Sequence, residues 1–428
     1  MRITDNMNNN TYRLYSSLSG PYTAKNAAEI NLSALIHNYN LLLGAVTRDN
    51  PSVRPICVVK ADGYGHGAGR VARALSAAGC DFFAVSCLEE AVSLRQTLGK
   101  APDILILGYT DPRNAALLSE FNIIQTGFSE RYISELSAVA KSGDLSLRVH
   151  LKLDTGMNRI GIPAQTERQI DAAADVAASL AVSGVLKLEG MFTHFARADE
   201  EETENDRNFT PRQAENLISG KFALPPSSLC GEDFTARQYA CFDAVRKRLE
   251  SRGIKILCLH VCNSAAAVRH PEYSLNAVRF GISLYGVAPS AAVPVEGLLP
   301  VMRLCSVVSH RHTLAPGCSV GYGGCFTSNI PRDIATLPIG YADGFLRKYT
   351  GGKIKIYHDG VAYTVPIVGN ICMDQLTADV TDTPVAPGDR AVLFGDTHGD
   401  LEELANRAGT IPYESLCLIS SRVPRYYI

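Results

Sequence analysis

Short apolar runs recur along the first three hundred positions, with helix-like spacing between them. PICVV (55–59), DFFAVS (81–86), DILILG (103–108), NIIQTG (122–127), LRVHLKL (147–153), LEGMFTHF (188–195), IKILCLHV (254–261) and NAVRFGISLYG (276–286) read as strands. Most are continuously apolar rather than alternating, the pattern of strands covered on both faces. NLSALIHNYNLLLGAV (31–46), GRVARALSAAG and EEAVSLRQTL carry apolar positions three and four apart, as a helix with one buried face does. Eight strands alternating with helices predict a parallel sheet, and that number favours closure into a (β/α)8 TIM-type barrel over an open sheet.

From about residue 300 the texture changes. RLCSVVS, DIATLPIG, GKIKIYHDG, VAYTVPIVG, LTADV and RAVLFG are short strands punctuated by HDG, APG and FGD turns, with one helix, DLEELANRAG. The pattern predicts a barrel over 23–299 and a mainly antiparallel β domain over 300–428. Residues 1–22 are polar and expected to be a flexible extension, and 200–236 interrupts the alternation as a surface insertion.

Composition adds exclusions. The formal net charge of −2 offers no footprint for nucleic acid or a membrane surface. No apolar run is long enough to span a membrane, and the N-terminus lacks an apolar signal-peptide core, so a cytoplasmic location is expected. Twelve cysteines lie scattered, several in apolar runs, and are expected to be reduced. In CLHVC, Cys258, His260 and Cys262 would share one strand face. Filling the inside of a sheet explains them better than zinc, because no second ligand cluster accompanies them.

Sites in such barrels form at the C-terminal ends of the strands. That rule selects Lys60 and Tyr64 after the first strand, Arg159 after the fifth and His194 at the end of the sixth. It adds Asn263 and Ser264 after the seventh, and Arg279, Gly281 and Ile282 in and after the eighth. A lysine among apolar residues favours its neutral amine, a nucleophile able to form a Schiff base. The amides of Gly281 and Ile282, with the Ser264 and Tyr64 hydroxyls, suit a phosphate. Together these point to pyridoxal 5'-phosphate. Taken singly, each residue has a plainer explanation as a solvated charge, a turn or a satisfied core group.

VVKADGYGHG resembles the cofactor-lysine signature of the alanine racemase family, the fold-type III pyridoxal-phosphate racemases. KLDTGMNRIG, EGMFTHFARADE, CNSAAA, VRFGISLYG, SVGYGG, LPIGYADGF, VGNICMDQ and SRVPR extend the resemblance from about residue 28 to 425. It implies racemisation of alanine, supplying D-alanine for peptidoglycan, by a head-to-tail homodimer. Lys60 would carry the cofactor, Tyr64, Asn263, Ser264, Gly281 and Ile282 would hold it, and Arg279 would face its ring nitrogen. Tyr322 of the partner, supported by His194, would be the second acid/base. Arg159 and the Met373 backbone would meet the substrate carboxylate, Tyr341 would line the approach, and Lys152 matches a position often carbamylated.

The chain departs from the family pattern at Asp62-Gly63, at Asn158, in the 200–236 insertion and at Ser421. Tyrosine is common at the position matched to Ser421, so serine there implies a shorter, more polar wall and a rival reading as a serine or dual racemase. A fold-type III decarboxylase and a non-catalytic cofactor carrier are further alternatives. SVGYGG and CMDQ argue against the first, and the β domain argues against the second.

Overall fold

The computed structural model describes residues 24–48, 50–201 and 231–428. The N-terminal extension and nearly all of the 200–236 insertion lie outside them. Strands in the first part are β1 (Ala27–Ile30), β2 (Arg54–Val58), β3 (Phe82–Val85), β4 (Asp103–Ile106), β5 (Ile124–Gly127), β6 (Leu147–Asp154), β7 (Leu186–Phe192), β8 (Cys258–His260) and β9 (Ala277–Phe280). Eight of them pair in parallel in the order β9-β2-β3-β4-β5-β6-β7-β8, with helices between. The barrel is nearly closed. Across its seam, Arg279 N–H donates to Cys262 O at 3.1 Å, Leu259 N–H to Asn276 Oδ1 at 2.5 Å and Asn276 Nδ2–H to Leu257 O at 2.6 Å. The last two strands are shorter than their apolar runs. Leu257 is exposed before β8, and after Phe280 the chain tightens into a 3-10 turn over Ile282–Tyr285.

The helices begin where the sequence supplies caps. Asn31, Ser129 and Thr166 each accept an N–H of the first turn with their side-chain oxygens. Inside the barrel, alternate residues of β6 mark three levels. Arg148 at the floor pairs with Asp103 and Glu189, and Arg54 joins Asp103 and Asp81. Glu189 reaches inward from a register shift between β6 and β7, the usual way a strand re-aims one side chain. His150 occupies the middle level, and Lys152 faces the cavity at the top.

The β domain is built from β10 (Met302–Val307), β11 (His310–Leu314), β12 (Arg332–Leu337), β13 (Lys353–His358), β14 (Val361–Val368), β15 (Leu376–Asp379), β16 (Arg390–Phe394) and β17 (Arg425–Tyr427). Its sheet order is β11-β12-β15-β14-β13-β16-β10-β1-β17. All neighbours are antiparallel except β1 with β17. Thus β1, which the sequence reading places within the barrel segment, is a strand of the second sheet. Ala28 and Ile30 are fully buried there, so its alternation answers to the β domain's core. Among the described residues no helix is long and apolar enough to cross a membrane, and the described cysteines are free thiols.

Asn276 stitches the seam with two side-chain hydrogen bonds. Asn276→Ala is expected to cost about 1–2 kcal/mol. A urea titration should show a lower midpoint at unchanged slope.

Candidate active site

The turn after β2 sets the site. Ala61, Asp62, Gly63, Tyr64 and Gly65 all have positive φ, between 52° and 81°. Left-handed backbone costs about 1–2 kcal/mol for each non-glycine residue, so neighbours must enforce it. Glu90 accepts from Ala61 N–H at 2.7 Å and from Ser86 N–H at 2.8 Å, and Asp62 Oδ1 accepts from Ala68 N–H at 2.8 Å. Arg425, from the far end of the chain, donates Nε–H to Gly65 O at 3.0 Å. A Cβ on Gly65 would lie 2.4 Å from Leu416 O, so the helix Pro412–Cys417 can pack on this turn only because residue 65 is glycine. The reversed turn brings Lys60 and Tyr64 to one cavity of about 600 Å³.

Lys152, Arg159, His194, Asn263, Ser264, Arg279, Gly281 and Ile282 line the same cavity. Its carboxylates are Asp199 and Glu414, so cationic groups predominate and an anionic ligand is favoured. Burial, then the Arg159 charge, lowers the pKa of Lys60, favouring the free amine. Lys152 is pushed down to about 8 by burial, then by Arg159 and Arg279.

Arg279 is buried and, among the described residues, meets no carboxylate. Its Nη1 donates to His260 O at 2.7 Å and His260 Nδ1 at 2.8 Å. Its Nη2 donates to Val261 O at 2.8 Å, Thr193 O at 2.9 Å and His194 Nδ1 at 3.3 Å. Among the described residues, of its five N–H groups only that at Nε lacks a protein acceptor. Burial, then the Arg279 charge, holds His194 far below its ordinary pKa, so the ring is neutral. Because Nδ1 of His194 accepts, its proton sits on Nε2.

A phosphate cradle is present. Ser264 Oγ accepts from Gly281 N–H at 2.8 Å, and a Cβ on Gly281 would come within 3.1 Å of the Tyr64 hydroxyl and 3.7 Å of Ser264 Oγ. The space a side chain would fill is therefore ringed by an amide and two hydroxyls. Asn263 contributes indirectly: its Oδ1 caps the helix Ser264–Arg269 by accepting from Ala266 N–H. An amine of lowered pKa, a cradle for a dianion and a donor-only cation fit pyridoxal 5'-phosphate.

Some expected residues lie elsewhere. Ser421 is exposed and does not line the cavity. The aromatic wall comes instead from Tyr413, which sequence reasoning missed, with its ring centroid 6.4 Å from that of Tyr64. Ser421 lies instead beside the Tyr341 and Met373 segments, where Ser420 N–H donates to Asp343 O and Arg422 pairs with Asp343 and Asp374. Cys262 lies past the end of β8 and turns toward His270 O and Ser274. The potential ligands that do converge are Cys258, His260 and His150.

Tyr322, Tyr341 and Met373 do not line their own chain's cavity and are 70%, 40% and 54% exposed. They share one region of the β domain. Asn370 Nδ2–H donates to Tyr322 O at 2.8 Å, Tyr341 N–H to Cys372 O at 3.1 Å and Ala342 N–H to Met373 O at 3.0 Å.

Comparison with known proteins agrees with this architecture. The family profile "Alanine racemase, N-terminal domain" matches residues 30–289, and "Alanine racemase, C-terminal domain" matches 301–427. The chain is 37% identical over 403 residues to an alanine racemase of Desulfovibrio desulfuricans, covering 94% of this chain and 97% of that protein. It is 36% identical over 414 residues to alanine racemase 1 of Bacillus subtilis, covering 95% and 94%. Among solved structures it superposes on an alanine racemase of Clostridium difficile 630 with TM-score 0.81 and 35% identity, over 95% and 97% of the two chains. The alanine racemase of Bacillus anthracis with bound L-Ala-P gives TM-score 0.78 and 31% identity, over 96% of each.

Two buried histidines predict an acid response. Burial holds His66 at about 4 and His150 at about 3, whereas unfolded histidine titrates near 6.5. The unfolded chain therefore binds more protons below that value. The stability from the neutral rings is intact above pH ~6.5 and declines toward pH 4 and 3, by about 1.4 kcal/mol per pH unit for each ring. His66→Gln should flatten the dependence of the urea midpoint on pH between 6.5 and 4.5, whatever its effect at pH 8. An unchanged slope would contradict a neutral His66.

Proposed function

The chain belongs to the alanine racemase family, and from that premise we propose how it interconverts L-alanine and D-alanine. The observation that carries the scheme is a division of labour. Lys60, the phosphate cradle and Arg279 share one cavity, while Tyr322, Tyr341 and Met373 stand exposed on the β domain. A head-to-tail homodimer brings the second group over the first in the neighbouring copy, with two-fold symmetry giving two equivalent sites.

Lys60 would hold the aldehyde carbon of pyridoxal 5'-phosphate, Tyr64, Ser264, Gly281 and Ile282 its phosphate, and Arg279 Nε–H its ring nitrogen. Bound there, the cofactor supplies a conjugated ring that delocalises the electron pair left when the α-proton departs. Racemisation takes that proton from one face and returns a proton to the other, so two acid/base groups must flank the carbon. The Lys60 amine, favoured as the free base by burial, serves one face. The partner subunit's Tyr322 serves the other. His194, with Nδ1 committed to Arg279, offers Nε2–H to that phenol oxygen. Arg279 can only donate, so it leaves the ring nitrogen unprotonated and restrains the electron sink.

Arg159 and the partner's Met373 N–H hold the substrate carboxylate, and the partner's Tyr341 lines the approach. Tyr413 and Ile411 narrow the wall around a small side chain. Lys152, whose pKa is pushed down to about 8 so that its free amine is more accessible at neutral pH, is suited to capture carbon dioxide. Its carbamate would set an anion beside Arg159 and add 44 Da to the intact mass. The reaction would run in the cytoplasm, where D-alanine feeds peptidoglycan synthesis.

Subunit complementation tests the shared site. Lys60→Ala and Tyr322→Phe homodimers should each be nearly inactive in a chiral alanine assay. Mixed and reassociated, half the dimers carry one intact site, so activity should recover to about a quarter of the wild-type value. No recovery despite proven exchange would refute a site drawn from two chains.

A further inference from the structure

Beneath the cavity, the barrel interior holds two histidines that the reaction does not touch. His260 on β8 and His150 on β6 are both buried, with His150 Nδ1 3.0 Å from His260 Nε2. On its other side, His260 Nδ1 lies 2.8 Å from Arg279 Nη1. Arginine has donors and no acceptor, so Nδ1 of His260 accepts. Burial, then the Arg279 charge, keeps His260 neutral, and its single ring proton therefore sits on Nε2. That proton is donated to Nδ1 of His150, leaving the His150 proton on Nε2. Hydrogen-bond donation runs one way, from the arginine down through both rings.

The surroundings are shaped for imidazoles. His260 stacks on Phe192 at 4.7 Å with planes 11° apart, and the edge of one ring meets the face of the other between Phe82 and His150 at 5.9 Å. Gly190 is the register partner of His150, and a Cβ there would lie 2.5 Å from the imidazole. Cys258 completes a trio whose ligand atoms lie within 4.8 Å of one another. A bound cation would require a bare Nε2 on His260 and would drive the proton to Nδ1, against the arginine's own hydrogens. Arg279 thus selects the hydrogen-bonded chain over a metal.

We propose that His260 and His150 form a tautomer-locked relay that positions Arg279, so that its uncommitted Nε–H points into the cavity. His150, two residues below Lys152 on the same strand, is then a positioning residue for the reaction. Without an acceptor at residue 150, the buried Nε2–H of His260 loses its partner. Nδ1 still accepts from the guanidinium, so the ring keeps its tautomer but is no longer held from below; it tilts to find a partner for that N–H, and the arginine moves with it. The consequence for the cofactor rests on the function proposed above; the tautomers do not.

Two substitutions separate hydrogen bonding from packing. His150→Phe keeps a ring and removes the acceptor, while His150→Asn loses the ring and restores a carbonyl acceptor. In selectively ¹⁵N-histidine-labelled holoenzyme, the wild type should show both rings neutral with the proton on Nε2. His150→Phe should leave the His260 proton on Nε2 but without an acceptor, shift the visible band of the bound cofactor and lower kcat about tenfold with KM within about twofold. His150→Asn should keep the His260 proton on Nε2 and recover most of the lost kcat. The proposal is overturned if the wild-type rings do not carry their protons on Nε2, if His150→Phe leaves the cofactor band and kcat unchanged, or if both variants lose activity equally, as a packing role would dictate. An inactive wild type showing the expected tautomers would count against the functional reading alone.

Discussion

The guanidinium of Arg279 is the constraint on which the rest depends. It sits where the barrel seam is joined by single hydrogen bonds, and it gathers carbonyls from the ends of β7 and β8. A buried cation without a carboxylate is costly, and these carbonyl dipoles offset the lost hydration. Its charge then governs its neighbours. Burial and this cation together keep His194 and His260 neutral, and it adds to the burial and the Arg159 charge that depress Lys152. A carboxylate in its place would favour protons on those groups and undo the neutral rings of His194 and His260.

The left-handed turn after Lys60 is the second constraint. Successive strained residues are kept in place by groups from the neighbouring βα unit and from the chain's C-terminus. Strain of this kind persists only where the surroundings over-determine it, and here the surroundings include the other domain. The barrel's catalytic loop is consequently shaped by contacts more than three hundred residues away.

That distance explains what could be read in the sequence. Lys60, Tyr64, His194, Ser264, Arg279 and Gly281 were legible because each lies within a few residues of a strand end, and apolar runs reveal strand ends. Tyr413 was not, because only packing shows that the helix Pro412–Cys417 covers the cavity. Ser421, eight residues further on, is exposed in the single chain, as Tyr322, Tyr341 and Met373 are. Cys262 was assigned to the face of Cys258 and His260 because its apolar run outlasts the strand, which ends at His260. The floor histidines carry no local signal, since each becomes informative only beside the other.

The placement of β1 has a topological consequence. The first described strand lies between β10 and β17, parallel to the last. The barrel is thus an excursion between two adjacent strands of the β domain, and the two ends of the described chain lie side by side. A chain severed at the apparent junction near residue 300 would leave a sheet missing an inner strand, with an unpaired backbone edge on β10 ready to recruit other chains. During synthesis β1 must likewise wait, unpartnered on either side, until the β domain emerges. The two domains are separable to the eye but not along the polypeptide.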